Sequence, residues 1–187
     1  MTAAIEDAAF EHIAVRRIGP VVDVALARPE ARNALTAVTI RELTELARGL
    51  RLPSDLAAVV LTGGPAFFSA GADVTDFENR IRAPTLMETR EVVMAGPDLC
   101  RAWEEIEAVT IVAIEGYCVG GACALALACD FRILGAGAFL RLPEVALGVR
   151  ASHAGYAAGP RWTGAGQALR DFRRPHRCAH LPGLGPG

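Results

Sequence analysis

Residues 110–130 of this chain read TIVAIEGYCVGGACALALACD. Val109, Ile111, Val112 and Ile114 suit a buried strand, which Glu115 and Gly116 end. Gly120 and Gly121 then open an apolar helix over 122–128. The first amides of a helix have no partner within it, and its dipole favours negative charge there. A ligand oxygen that becomes negative fits such a place, provided nothing larger than glycine blocks its approach. Taken alone, a buried strand turning through glycine into a core helix is common in α/β proteins. Two further stretches give it chemical weight. One is a small-residue turn after an earlier apolar strand, Phe67-Phe68-Ser69-Ala70-Gly71-Ala72-Asp73. The other, Leu142-Pro143-Glu144, places a carboxylate after a later strand.

Other polar residues in these stretches have structural readings. Asp73 is expected to cap or turn the chain. Asp130 is expected to serve structure after the helix, and Glu115 to end a strand. His153 is assigned no role. Of the five cysteines, Cys118, Cys123 and Cys129 lie in the apolar stretch and read as small core residues. The spacing of Cys100 and Cys178 completes neither a zinc site nor a CxxC pair, so reduced thiols in the cytoplasm are expected.

The elements that must position these turns follow from periodicity. Residues 12–18 and 21–26 alternate as two strands of a hairpin about Gly19-Pro20. RPEARNAL (28–35) is a polar loop leading to a helix from Thr36, in which Leu43, Leu46, Ala47 and Leu50 share one face. Pro53 stops that helix. Residues 56–62 form an apolar strand punctuated by Gly63-Gly64-Pro65. Residues 75–90 are polar and carry no clear pattern. Residues 90–107 read as a helix broken or kinked at Gly96-Pro97. Short strands at 131–134 and 138–140 close the series. Strands alternating with helices predict an α/β domain with its site at strand ends. No internal sequence repeat is evident.

Composition narrows the function. The chain has 187 residues, 52% hydrophobic and 21% charged, enough for one domain with a real core. Its formal charge of −2 gives no case for nucleic acid or an anionic membrane. All 19 basic residues are arginine, as a GC-rich coding sequence would give. The N-terminus lacks a basic-then-apolar signal pattern. Glu115 and three glycines interrupt the apolar run 109–128, so a buried core is expected there and not a membrane span.

RPEARNAL, VVLTGGPAFFSAGADV, IVAIEGYCVGGACALALACDFRIL and LPEVALG stand in an order that resembles the enoyl-CoA hydratase/isomerase (crotonase) superfamily. The likeness covers roughly residues 10–172. It implies a crotonase-like spiral of ββα units, acting on an acyl-CoA thioester. Coenzyme A would be part of the substrate, with no separate cofactor and no metal. The amides of Ala72 and Gly121 would form an oxyanion hole beside Gly120. The loops Arg32 to Ala34 and Ala70 to Val74, including Asp73, would contact the CoA portion. Tyr117 would line the acyl pocket or else sit in the core. Pro143, next to Glu144, would contact the ligand.

Hydratases of the family use two glutamates. The place of the first, three residues after the oxyanion glycine, is Ala124 here, while the second corresponds to Glu144. One base suffices to move a double bond from the β,γ to the α,β position, and burial against an apolar chain raises a carboxyl pKa as a proton shuttle requires. The expected reaction is therefore isomerisation, with hydration or another crotonase-fold reaction as the alternative. A non-catalytic acyl-CoA binder or inactive fragment is the further alternative. Family members continue for several more helices, which complete the CoA pocket and the contacts of a trimer or hexamer. Residues 1–172 are thus expected to be an incomplete domain, with homo-oligomer formation in doubt. Residues 173–187 hold three prolines, three glycines, three arginines and no acid, and are expected to be a disordered or out-of-frame tail.

Overall fold

Alternating apolar residues put one face of strands such as Val21–Leu26, Ala58–Thr62 and Val109–Ile114 into a common core. The computed structural model describes residues 10–52, 55–82 and 85–143. Strands β1 (Ile13–Ile18) and β2 (Val21–Leu26) form the expected antiparallel hairpin, with Ile13 opposite Leu26 and Ile18 opposite Val21. Strands β3 (Ala58–Thr62), β4 (Val109–Ile114) and β6 (Phe131–Leu134) then add in parallel, giving the order β1-β2-β3-β4-β6. Val22, Val24, Val59, Leu61, Val112 and Ile114 are buried on one face of this sheet.

Helices cover that face. Helix α1 (Ala37–Gly49) begins at Thr36, whose hydroxyl accepts from the Thr39 amide at 3.2 Å. Its Leu43, Leu46 and Ala47, with Leu50 at its end, enter the core, as their spacing predicts. Each buried leucine contributes about 1.5–3 kcal/mol relative to exposure. Residues 75–90, without pattern in the sequence, are largely helical. Helix α2 spans Val74–Ile81 and α3 spans Leu86–Glu104. The break expected at Gly96-Pro97 is absent: α3 runs through Pro97 and buries Leu99, Cys100 and Trp103. Helix α4 (Gly121–Ala128) is buried along nearly its whole length and packs against α3.

The sequence reading of 110–130 as strand, glycine turn and helix omits one element. Gly116, at φ 55°, separates β4 from a further strand, β5 (Tyr117–Val119), which pairs in parallel with β7 (Phe139–Arg141). Two single-residue bridges extend this small sheet. Ser69 pairs with Cys118, and Ala72 pairs with Leu35, both in parallel. The chain therefore repeats one course. A strand of the large sheet leads to a short segment of the small one, and then to a helix. β2, Leu35 and α1 make one unit; β3, residues 69–72 and α2 with α3 make the next; β4, β5 and α4 make a third. This is the spiral of ββα units that the sequence resemblance implied. What repeats is backbone pairing, which leaves no repeated side-chain pattern.

Candidate active site

The small sheet gathers three helix N-termini at one side of the molecule. Two of them are closed by their own side chains. Thr36 caps α1, and Asp73 Oδ1 accepts from the Asp76 amide at 3.1 Å to cap α2, as its sequence position predicts. Asp76 Oδ2 in turn accepts from the Ala37 amide at 2.9 Å, tying the two helix starts together. The third N-terminus, that of α4, has glycine at its cap, with φ 56° and ψ −125°, and no side chain among the described residues caps it.

Gly71 and Gly120 bring the last two segments into contact. A Cβ added at Gly71 would lie 2.5 Å from the Val119 carbonyl oxygen and 3.6 Å from Gly120 Cα. Both glycines are buried, whereas Ala72 is exposed and Gly121 half-buried. Ala72 and Gly121 each follow directly on the residues that make this contact.

Peptide planarity gives the direction of each amide. A trans peptide points its C=O and N–H opposite ways. The Gly71 carbonyl accepts from the Leu35 amide at 2.7 Å, so the Ala72 N–H points away from Leu35, toward the β5 and α4 side. The Gly120 carbonyl accepts from the Cys123 amide at 2.9 Å, inside the helix, so the Gly121 N–H points out of its N-terminus. Neither N–H meets an acceptor among the described residues. Two free donors at adjacent, accessible positions suit an oxygen that gains negative charge.

The remaining expected residues are placed as follows. Arg32, at φ 55° and exposed, and half-buried Ala34 flank the turn; the Arg32 carbonyl accepts from the Ala70 amide at 3.0 Å. Val74 is 66% exposed at the first turn of α2. Tyr117 is half-buried, stacked on Phe67 with ring centres 5.2 Å apart and tilted against Phe139. Pro143 is half-buried, two residues beyond β7. Glu144 lies outside the described residues, as does the stretch 173–187.

Sequence reasoning passed over three polar side chains that frame the Ala72 turn. Arg28 Nη1 donates to the Ala34 carbonyl at 3.0 Å and lies 3.6 Å from Asp73 Oδ2. Asn33 and Ser69, both buried, bond to the backbone around the same turn. Ser69 was signalled only by its polarity within a small, apolar turn, and Arg28 and Asn33 stand in a polar loop where nothing marks them out. Asp130 has the structural role expected: its Oδ2 accepts from the Thr110 amide and hydroxyl at 2.9 and 2.8 Å. Three of the buried thiols are held in the unreactive, protonated form. Burial pushes Cys100 and Cys129 up to about 12 and raises Cys118 well above the usual range, so they remain protonated. Among the described residues no cluster of His, Cys, Asp or Glu could hold a metal, and no helix is long and apolar enough to cross a membrane.

The family model for enoyl-CoA hydratase/isomerase matches residues 17–170. The chain belongs to this family. It is 33% identical over 161 residues to the crotonyl-CoA hydratase of Syntrophomonas wolfei, covering 86% of this chain and 60% of that one. To the 2,3-dehydroadipyl-CoA hydratase of Escherichia coli it is 33% identical over 140 residues, covering 75% and 52%. Among solved structures, Pseudomonas aeruginosa DspI superposes with a TM-score of 0.76 at 32% identity, over 90% of this chain and 63% of that one. P. aeruginosa AtuE superposes at 0.78 with 29% identity, over 87% and 62%. The chain thus spans between half and two thirds of the length of these relatives.

Proposed function

We propose that this chain binds an acyl-CoA thioester and stabilises its enolate with the amides of Ala72 and Gly121. The observation that carries this reading is the pair of unpartnered amides on adjoining segments. Removing a proton beside a thioester carbonyl moves charge onto its oxygen. Two fixed donors stabilise that charge without reorganising, and losing one typically costs about 2.7–4 kcal/mol of barrier lowering. Loops 32–34 and 70–74 hold the CoA portion, with Tyr117 toward the acyl group.

The reaction we favour is movement of a double bond from β,γ to α,β, with Glu144 carrying the proton between the two carbons. Ala124 supports it. It stands one helical turn after Gly121, is 1% exposed, and its methyl group can neither accept a proton nor orient water. Hydration is the second reading, favoured by relatives whose names are those of hydratases. A panel of CoA thioesters separates the two. Isomerisation of a β,γ-enoyl thioester creates the conjugated chromophore, while hydration of an α,β-enoyl thioester consumes it. The expected result is gain of absorbance with the former substrate and little loss with the latter. The reverse pattern would make the protein a hydratase. A binding titration run beside the assay distinguishes a silent binder from a protein that takes no thioester.

Ala124→Glu tests the missing carboxylate. The variant is expected to gain hydration of crotonyl-CoA, with a lower melting temperature because the new carboxylate replaces a buried methyl group. Unchanged hydration in a folded variant would show that one absent carboxylate does not account for the preference.

A further inference from the structure

The turn that ends at Ala72 has an unusual hydrogen-bond balance. The amides of Phe68 and Ser69 both donate to the Tyr117 carbonyl, and that of Ala70 to the Arg32 carbonyl. The amide of Gly71 donates to Ser69 Oγ, and that of Asp73 to the Leu35 carbonyl. From Phe68 to Asp73, Ala72 alone keeps an unpartnered N–H among the described residues.

Two buried side chains create this selection. Ser69 is fully buried; its hydroxyl donates to the Asn33 carbonyl at 2.7 Å and accepts from the Gly71 amide at 3.1 Å. Asn33 is 2% exposed and sits at φ 51°, a left-handed conformation that asparagine tolerates better than most residues. Its Nδ2 donates to the Gly63 and Phe68 carbonyls at 2.7 and 3.0 Å, while Oδ1 accepts from the Arg28 amide at 3.0 Å. The side chain of Asn33 thus grips both ends of the 63–68 loop, and its main chain holds Ser69.

We propose that Asn33 and Ser69 are positioning residues for the Ala72 donor: they fix the turn and occupy the Gly71 amide, so that from this turn only the Ala72 N–H is presented to the thioester oxygen, beside that of Gly121. This rests on the oxyanion reading above and deepens it. Without the Ser69 hydroxyl, the Gly71 amide loses its acceptor and the turn can rotate to satisfy it. The Ala72 N–H then leaves its direction, and displacements of about 1 Å at a reacting centre can cost on the order of a hundredfold in rate.

The test uses the full-length protein and crotonyl-CoA carrying 13C at its carbonyl. Difference infrared spectroscopy reads the polarisation of that carbonyl in the bound state. In the wild type the band is expected to shift to lower frequency on binding. In Ser69→Ala most of the shift is expected to vanish, with thioester affinity largely kept and kcat reduced roughly 10–100-fold at little changed KM. Asn33→Asp, which keeps the left-handed preference but removes the donor, should act in the same direction. A role in packing alone would lower the melting temperature and leave the band where it is. A wild-type shift that survives in Ser69→Ala overturns the positioning role alone. A wild-type band that does not move contradicts the oxyanion reading itself. Amide hydrogen exchange on the unaltered protein supplies a test that no folding defect can obscure: Gly71 should be protected and Ala72 should exchange faster. Equal exchange at the two positions overturns the selection.

Discussion

Gly71→Ala is expected to abolish turnover and lower the melting temperature sharply. Gly71 has φ +89°, which L side chains rarely adopt, and its missing Cβ faces the Val119 carbonyl oxygen at 2.5 Å and carbon at 3.2 Å. Both obstacles are backbone and cannot swing aside. The dihedral strain and the overlap each cost about 1–3 kcal/mol, against a total stability of about 5–15 kcal/mol for a typical domain. The turn can relieve the overlap only by leaving β5, which carries the Ala72 amide with it. Gly64 provides the matched comparison. It has φ +100° but open space around the Cβ position, so Gly64→Ala incurs the dihedral strain without the overlap. Thermal unfolding and thioester turnover of the two variants should separate widely. Equal activity would mean that the Gly71–Val119 contact does not position the site.

Glu144→Ala is expected to reduce turnover by about 10²–10⁴-fold, the range general acid–base catalysis contributes, with thioester binding largely retained. The reason is a division of labour. In the proposed reaction, backbone amides and the flanking loops would hold the ligand, while a single carboxylate would move the proton. No second carboxylate stands at position 124 to share the task. Glu144→Gln should fall almost as far, since it keeps the shape and loses the base. Turnover by either variant at the wild-type rate would refute the assignment.

Where burial imposed a period, the sequence was legible. The hairpin, β4 and the start of α1 lie within a residue of their expected bounds because each must present an apolar face to one core, while α1 ends at Gly49, short of the expected stop. Helix α2 and the start of α3 escaped notice because they do not. Val74, Leu86 and Met87 are 66%, 87% and 64% exposed, so their apolar residues mark no buried face. The better signals there were caps. Asp73 bonds the Asp76 amide, and Thr85 with Glu88 forms a capping box that starts α3. Strand β5 is too short for alternation to reveal, and the single-residue bridges at Leu35 and Ser69 have no side-chain signature at all.

The candidate site is marked in the sequence in a different way. Backbone amides leave no mark in a sequence except the small residues that expose them, and Gly71, Gly120 and Gly121 also occur as ordinary turn residues. Four motifs in order, not any one spacing, identified the family. Asn33 and Ser69 stood inside two of those motifs, yet their role depends on contacts across 35 and 36 positions in the chain, which no local pattern encodes.

The central claim concerns two backbone N–H donors, and replacing Ala72 with its α-hydroxy analogue, lactate, removes one of them while keeping the methyl. The backbone then carries an ester oxygen where the donor stood. Turnover of a β,γ-enoyl-CoA should fall about 10²–10³-fold, as for loss of one oxyanion donor, while binding of a saturated acyl-CoA stays close to wild type. A lactate variant that turns over its substrate at the wild-type rate would contradict the account.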